Sequence, residues 1–196
     1  MLASGFLAGL IALATTAPAA EPPATEILQL DNPHSSAAFS VKVLWMFTVE
    51  GRFDSVHGEV RIDRFRSQAR VDARIDAAEV TMNRESATTW VKSAEFFDVE
   101  NYPEIRFRSE PFPLSRLHDG GELPGALTMR GVTLPVVFEV APSTCQRVAV
   151  DCPVQATGTV KRSDFGMQSR RATLSNKVEL SFSIRMSLPD RDAAES

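Results

Sequence analysis

Val178-Glu179-Leu180-Ser181-Phe182-Ser183-Ile184-Arg185-Met186 alternates apolar and polar residues without a break. Side chains on an extended strand point to opposite faces in turn, so this period of two predicts a strand with one buried face. The same rhythm returns in Ala37, Phe39, Val41 and Val43, and again in Ala69, Val71, Ala73 and Ile75 between Arg70, Asp72, Arg74 and Asp76. Further strands are expected at Phe53 to Asp63, Glu104 to Ser109, Gly125 to Met129, Val132 to Val140 and Val154 to Lys161. Arg130-Gly131 reads as a tight hairpin turn. About eight strands with short connections predict an all-β antiparallel barrel or sandwich.

One segment departs from the rhythm. Asn83 to Phe97 lacks strict alternation and holds Glu85, Ala87, Lys92, Ala94 and Glu95, which favour a helix. It is expected to cross the sheet or cover an open barrel end. An outer-membrane barrel would also alternate, but it carries aromatic girdles at both ends of its strands. With one Tyr and two Trp in the chain, that signal is missing and a soluble barrel is expected. The mixed charge of Arg70 to Asp76 reads as a solvated outer face protected against edge pairing.

The ends differ from the middle. Leu2 to Ala14 is an apolar run too short to span a bilayer, which takes roughly 20 residues. Ala17-Pro18-Ala19 follows with the small residues that a signal peptidase reads. Residues 1–19 are therefore expected to be a signal peptide, 20–26 a Pro-rich linker, 27–188 the barrel and 189–196 a polar tail. The mature chain is accordingly expected to be secreted. Cys145 and Cys152 share one loop, and in an oxidising compartment they are expected to form a disulfide. The net charge of −4 and the absence of a basic stripe argue against nucleic acid as a partner.

No motif for chemistry emerges. His34, His57 and His118 are far apart, with no H-x-x-x-H spacing, so no metal site is expected. No nucleophile elbow occurs, and Asp164-Phe165-Gly166 stands without the other parts of a kinase. What stands out is a supply of large apolar groups: Leu44-Trp45-Met46-Phe47 after the first strand, Trp90, Phe96 and Phe97 on the helical segment, and Phe165 and Met167 after the seventh strand. They either fill a core or enclose an apolar cavity. Eight strands permit both, and composition leaves the two open.

A set of motifs, in order from about Asp31 to Met186, resembles the YceI family of periplasmic, lipocalin-like isoprenoid-binding proteins. The clearest is Lys92-Ser93-Ala94-Glu95-Phe96-Phe97-Asp98-Val99-Glu100-Asn101-Tyr102-Pro103, followed by Ile105-Arg106-Phe107. Ser36 to Val41 with Gly51-Arg52-Phe53, Leu127 to Val136, and Lys161 to Met167 complete it. The resemblance implies an eight-stranded lipocalin-like barrel capped by one α-helix. It also implies a polyprenyl or quinone-like lipid in the interior as ligand, with no other cofactor, no enzyme activity and no membrane span. Phe39, Val41, Val43, Trp45, Phe53, Trp90, Phe96, Phe107, Met129, Phe138, Phe165, Met167 and Phe182 are the expected lining. Where many relatives carry His-Leu-Gly, this chain has Val43-Leu44-Trp45; where many carry Asp-x-His-Leu, it has Thr89-Trp90-Val91. Trp45 and Trp90 are accordingly expected to narrow the pocket. The alternative reading is a ligand-free structural or stress-response protein acting through protein partners. A homodimer is left open.

Overall fold

The computed structural model describes residues 25–170 and 172–187. The expected signal peptide and polar tail, and residues 20–24 of the expected linker, lie outside them. Among the described residues the strands are β1 (Glu26–Gln29), β2 (Ser36–Val43), β3 (Phe47–Phe53), β4 (His57–Asp63), β5 (Gln68–Asp76), β6 (Thr81–Met82), β7 (Glu104–Ser109), β8 (Phe112–Pro113), β9 (Gly121–Met129), β10 (Val132–Val140), β11 (Val154–Lys161) and β12 (Leu174–Ile184). Two helices join them, α1 (Glu85–Lys92) between β6 and β7 and α2 (Arg116–Asp119) between β8 and β9.

The strands form one antiparallel sheet in the order β1-β4-β5-β7-β9-β10-β11-β12-β2-β3-β6, with β8 paired to β5. The sheet curls: Leu30, just after β1, pairs with Met186, just after β12, and Asp31 N–H donates to the Arg185 carbonyl at 2.9 Å. The apolar residues of the alternating strands face the inside of the curl. Ala37, Phe39, Ala69, Ile75, Val178 and Met186 are buried there.

The strand count differs from the expected eight. Phe53 to Asp63 is two strands, because the chain turns at Asp54-Ser55-Val56. β3 pairs with β2, whereas β4 pairs with β1 and β5. β1 begins inside the expected linker, at Glu26. β6 and β8 are two residues each, too short to show a period. The helix is shorter than expected and ends at Lys92; Ser93 caps it, donating from its hydroxyl to the Trp90 carbonyl at 2.7 Å. The charges of β5 do not guard an edge, since β5 lies between β4 and β7. They make cross-strand pairs instead, with Asp72 accepting from Arg106 Nε at 2.7 Å and Arg108 Nε at 3.2 Å.

The motif around Lys92 to Pro103 has a structural role. Arg130, at positive φ in the β9–β10 turn, donates to the carbonyls of Ala94 and Phe96 and lies 5.9 Å from the Tyr102 ring centroid. Gly131 follows at φ +72°, with the Tyr102 ring against it where a Cβ would stand. This turn pins the loop after α1 across one end of the sheet. At the other end, Cys145 and Cys152 are disulfide-bonded within the β10–β11 connection. Ser143 N–H in that connection donates to the His118 carbonyl of α2 at 2.9 Å.

A candidate lipid cavity inside the curled sheet

The curl encloses a cavity of about 330 Å³, within the range of roughly 300–1,000 Å³ usual for small-molecule pockets. Its walls come from strands all round the sheet and from both helices. Val71 and Ala73 of β5 and Leu180 and Phe182 of β12 are mid-strand, face inward and pack on the core, yet they are only half-buried. Side chains facing a filled core would be sealed; these face open space.

The space exists because rings lie flat against the wall. Phe138 of β10 is paired across the sheet with Gly158 of β11, and any Cβ on Gly158 would collide with the ring. Phe39 of β2 covers Gly51 of β3 in the same way. Glycine lets the ring settle onto the neighbouring strand rather than project across the interior. Edge-to-face contacts then hold the rings: Phe138 meets Phe107 and Phe182, each at 4.9 Å between centroids, and Phe97 meets Phe39 at 5.6 Å and Phe53 at 5.8 Å.

Among the described lining residues, two arginines are the polar ones, one at each end. Arg162, at the α1 end, is buried and donates to the carbonyls of Met167 at 2.6 Å, Ser175 at 2.9 Å and Leu174 at 3.2 Å. These bonds tie the corner between β11 and β12. Arg116, at the α2 end, is held more loosely. Its Nη1 donates to the Gly120 carbonyl at 3.1 Å, and among the described residues its buried Nε has no hydrogen-bond partner and its guanidinium has no carboxylate within 4 Å. Gly121 falls on the inward register of β9 with Leu123 and Leu127. The space its missing Cβ leaves is taken by the Arg116 guanidinium.

Of the residues expected at the site, Phe39, Val41, Val43, Phe53, Trp90, Phe96, Phe107, Met129, Phe138, Met167 and Phe182 line the cavity. Trp45 does not: it sits on the three-residue β2–β3 turn, past the last β2 position that faces inward, and is 75% exposed. Phe165 is buried at 1% exposure in the 3₁₀ corner Arg162–Phe165, which leaves the strand alternation, and it is not part of the lining. Trp90 lies edge-on to Phe96 at 4.1 Å, donates from its indole to Glu95 at 3.2 Å and carries the Arg170 guanidinium 4.6 Å above its ring. The two arginines escaped the sequence reading, since a charged residue outside the alternating strands gives no sign of facing inward.

Among the described residues the geometry assembles no reaction centre. Ser55 and His57 are 2.9 Å apart, but the hydroxyl of Ser55 donates to Asn32 Oδ1 at 2.6 Å. His34 contacts Asp31, and among the described residues no three His, Cys, Asp or Glu side chains gather as a metal site. Among those residues no helix is long and apolar enough to cross a membrane.

Several known proteins share this architecture. A polyisoprenoid-binding domain from Saccharophagus degradans superposes with a TM-score of 0.62 at 15% identity, over 82% of this chain and 98% of that one. Burkholderia cenocepacia BcnA does so with a TM-score of 0.63 at 20% identity, over 81% of this chain and 99% of that one. In sequence, a UPF0312 protein of Staphylococcus aureus is 28% identical over 156 residues, 76% of this chain and 87% of that protein. The family model of the YceI-like domain matches residues 28–186. With the motifs of the turns, the curled sheet and its apolar interior, this match shows that the chain belongs to the YceI-like family.

Proposed function

We propose that this protein is a periplasmic carrier or store for an isoprenoid-like lipid, a polyprenyl compound or a quinone, held inside the curled sheet, and that it catalyses no reaction. The observation that carries this reading is the open apolar cavity whose walls are half-buried inward-facing side chains. An isoprenoid tail makes no hydrogen bonds, and covering it stabilises the complex by about 25 cal/mol per Å² before ordering costs. The kinship with a polyisoprenoid-binding domain supports the ligand class. The Cys145–Cys152 disulfide and the apolar run at residues 2–14 support export. In this reading the oxygen-bearing head of the lipid lies at the α2 end. There the guanidinium of Arg116 has donors to spare, and a buried donor gains by finding an acceptor.

The test is mass spectrometry of an organic-solvent extract of the mature protein, purified from a bacterial host that makes such lipids. A stoichiometric polyprenyl or quinone species is the expected result. A clean extract, from protein that also takes up no added polyprenyl lipid, would overturn the carrier reading and favour action through protein partners.

A further inference from the structure

The β2–β3 turn is unlike the rest of the surface. Leu44, Trp45, Met46 and Phe47 follow one another and are 51%, 75%, 78% and 60% exposed. Leu44 and Trp45 both have positive φ, +48° and +63°. Met46 N–H donates to the Val43 carbonyl at 3.2 Å, which makes Leu44 and Trp45 the two central residues of a β-turn inside the three-residue β2–β3 connection. Such turns favour Asn and Gly, because bulky side chains are strained at positive φ. Folding rewards neither the strain nor the exposure of four large apolar side chains in a row. Strain and exposure that the fold does not need point to a task for the turn.

The position of the turn says what that task is. Val43, the residue before it, lines the cavity and pairs with Phe47 of β3 and Leu174 of β12; Leu174 and Val41 line the cavity too. The apolar tip therefore stands at the α1 end of the cavity, continuous with its wall. Leu44 N–H donates to the Thr173 carbonyl at 2.7 Å, which fixes the tip against the chain entering β12. Charge completes the surface. Lys42 is the charged residue nearest the tip on its own hairpin, and Lys161 and Lys177 face each other on β11 and β12 at the same end, with Arg170 close by over Trp90. Glu50 and Glu179 lie a further step along their strands; Asp164 is on the adjacent corner, and Glu95 accepts the Trp90 indole proton. Four cations and four carboxylates thus lie at this end, and along β2, β3 and β12 the lysines Lys42 and Lys177 stand nearer the tip than Glu50 and Glu179.

We propose that Leu44–Phe47 is a membrane-docking tip that inserts into the interface of an anionic bilayer and brings the α1 end of the cavity to the lipid surface. Tryptophan with aliphatic neighbours suits the boundary between headgroups and acyl chains, and lysines behind it suit anionic headgroups. A second copy of the chain fits less well. Four side chains exposed by half to three quarters supply on the order of 500 Å², short of the roughly 800 Å² per partner of a stable complex. The purpose of the tip rests on the carrier reading, but its docking is measured without any cargo.

The experiment is co-sedimentation of the mature protein with phosphatidylglycerol–phosphatidylethanolamine vesicles, for the wild type and a Trp45→Ser, Met46→Ser double variant. Wild-type protein should pellet with the vesicles, and the double variant should partition at least ten-fold less. Both side chains point to solvent, so the variant keeps its fold. On a Trp90→Phe background, Trp45 is the sole tryptophan, and lipids brominated in the acyl chain should quench it. Wild-type protein that stays in the supernatant, or a double variant that pellets equally well, overturns the proposal. So does a wild type that sediments as a dimer and ignores vesicles while the variant is monomeric, since the tip would then bind a second copy. A clean solvent extract from protein that does bind vesicles would sink the carrier reading and leave the docking intact.

Discussion

At the residue scale, the cavity depends on glycines as much as on aromatic rings. Phe138 lies flat because Gly158 stands opposite it without a side chain. A Gly158→Ala substitution puts a methyl where the ring is, so the ring must swing toward the cavity. The expected cost is about 1–3 kcal/mol, as for other overpacked sites. Lipid uptake should fall at least several-fold, because the ring takes cavity space. Urea unfolding together with a binding titration checks both, and unchanged uptake would show that the ring does not bound the occupied part of the cavity. A Gly in a strand pattern is legible in sequence as a weak point of the strand; which ring it shelters is not, because the partner is on another strand.

The ion pairs across β5 and β7 belong to the element scale. Asp72 is held between Arg106 and Arg108, with Arg74 Nε 3.8 Å away. The hydrogen bond from Arg106 is the main cause that lowers the Asp72 pKa below its usual value near 3.8, against the opposing effect of partial burial. A lowered native pKa stabilises the fold above the usual carboxylate pKa, and that contribution disappears as pH falls through the native value. Asp72→Asn is therefore expected to cost up to about 1 kcal/mol near pH 7, because the pair is only partly shielded from water. The gap to the wild type should begin to narrow below about pH 4, near the usual carboxylate pKa, and close as pH falls through the lowered native value. Urea denaturation across that range reads it, and a gap that does not narrow at all as the pH falls would assign the loss to packing. Elements were legible where their period was. Glu104–Ser109, Val132–Val140 and Val154–Lys161 have the expected bounds. The corner after β3 also left a trace: the inward residues shift from the odd Phe53 to the even Val60 and Ile62, a change of parity that a single strand cannot make.

For the whole molecule, the cavity links stability to its contents. A ligand that binds the folded chain alone stabilises it by about 2.7 kcal/mol at a hundred times its dissociation constant. In a domain of this size that corresponds to a rise in Tm of roughly 5–10 °C. Stripping lipid with organic solvent should lower the Tm by such an amount, and adding polyprenol should restore it. A Tm indifferent to both treatments would mean that the cavity carries no ligand that matters to the fold.

The sequence by itself determined the all-β class, the inward faces of the main strands, the disulfide pair and the family, because each is written locally: in a period of two, in a spacing, or in turn residues whose backbone needs are specific. It also supplied eleven of the thirteen expected lining residues. Tertiary structure alone decided the rest. Whether the apolar faces meet as a filled core or stand back around a cavity depends on how far the sheet curls and where each ring lies, which are relations between strands distant in the chain. The same holds for Trp45 and Arg116. Hydrophobicity placed Trp45 inside and charge kept Arg116 out of consideration, but a tight turn carries Trp45 into solvent, and the gap at Gly121 draws the Arg116 guanidinium to the end of the cavity.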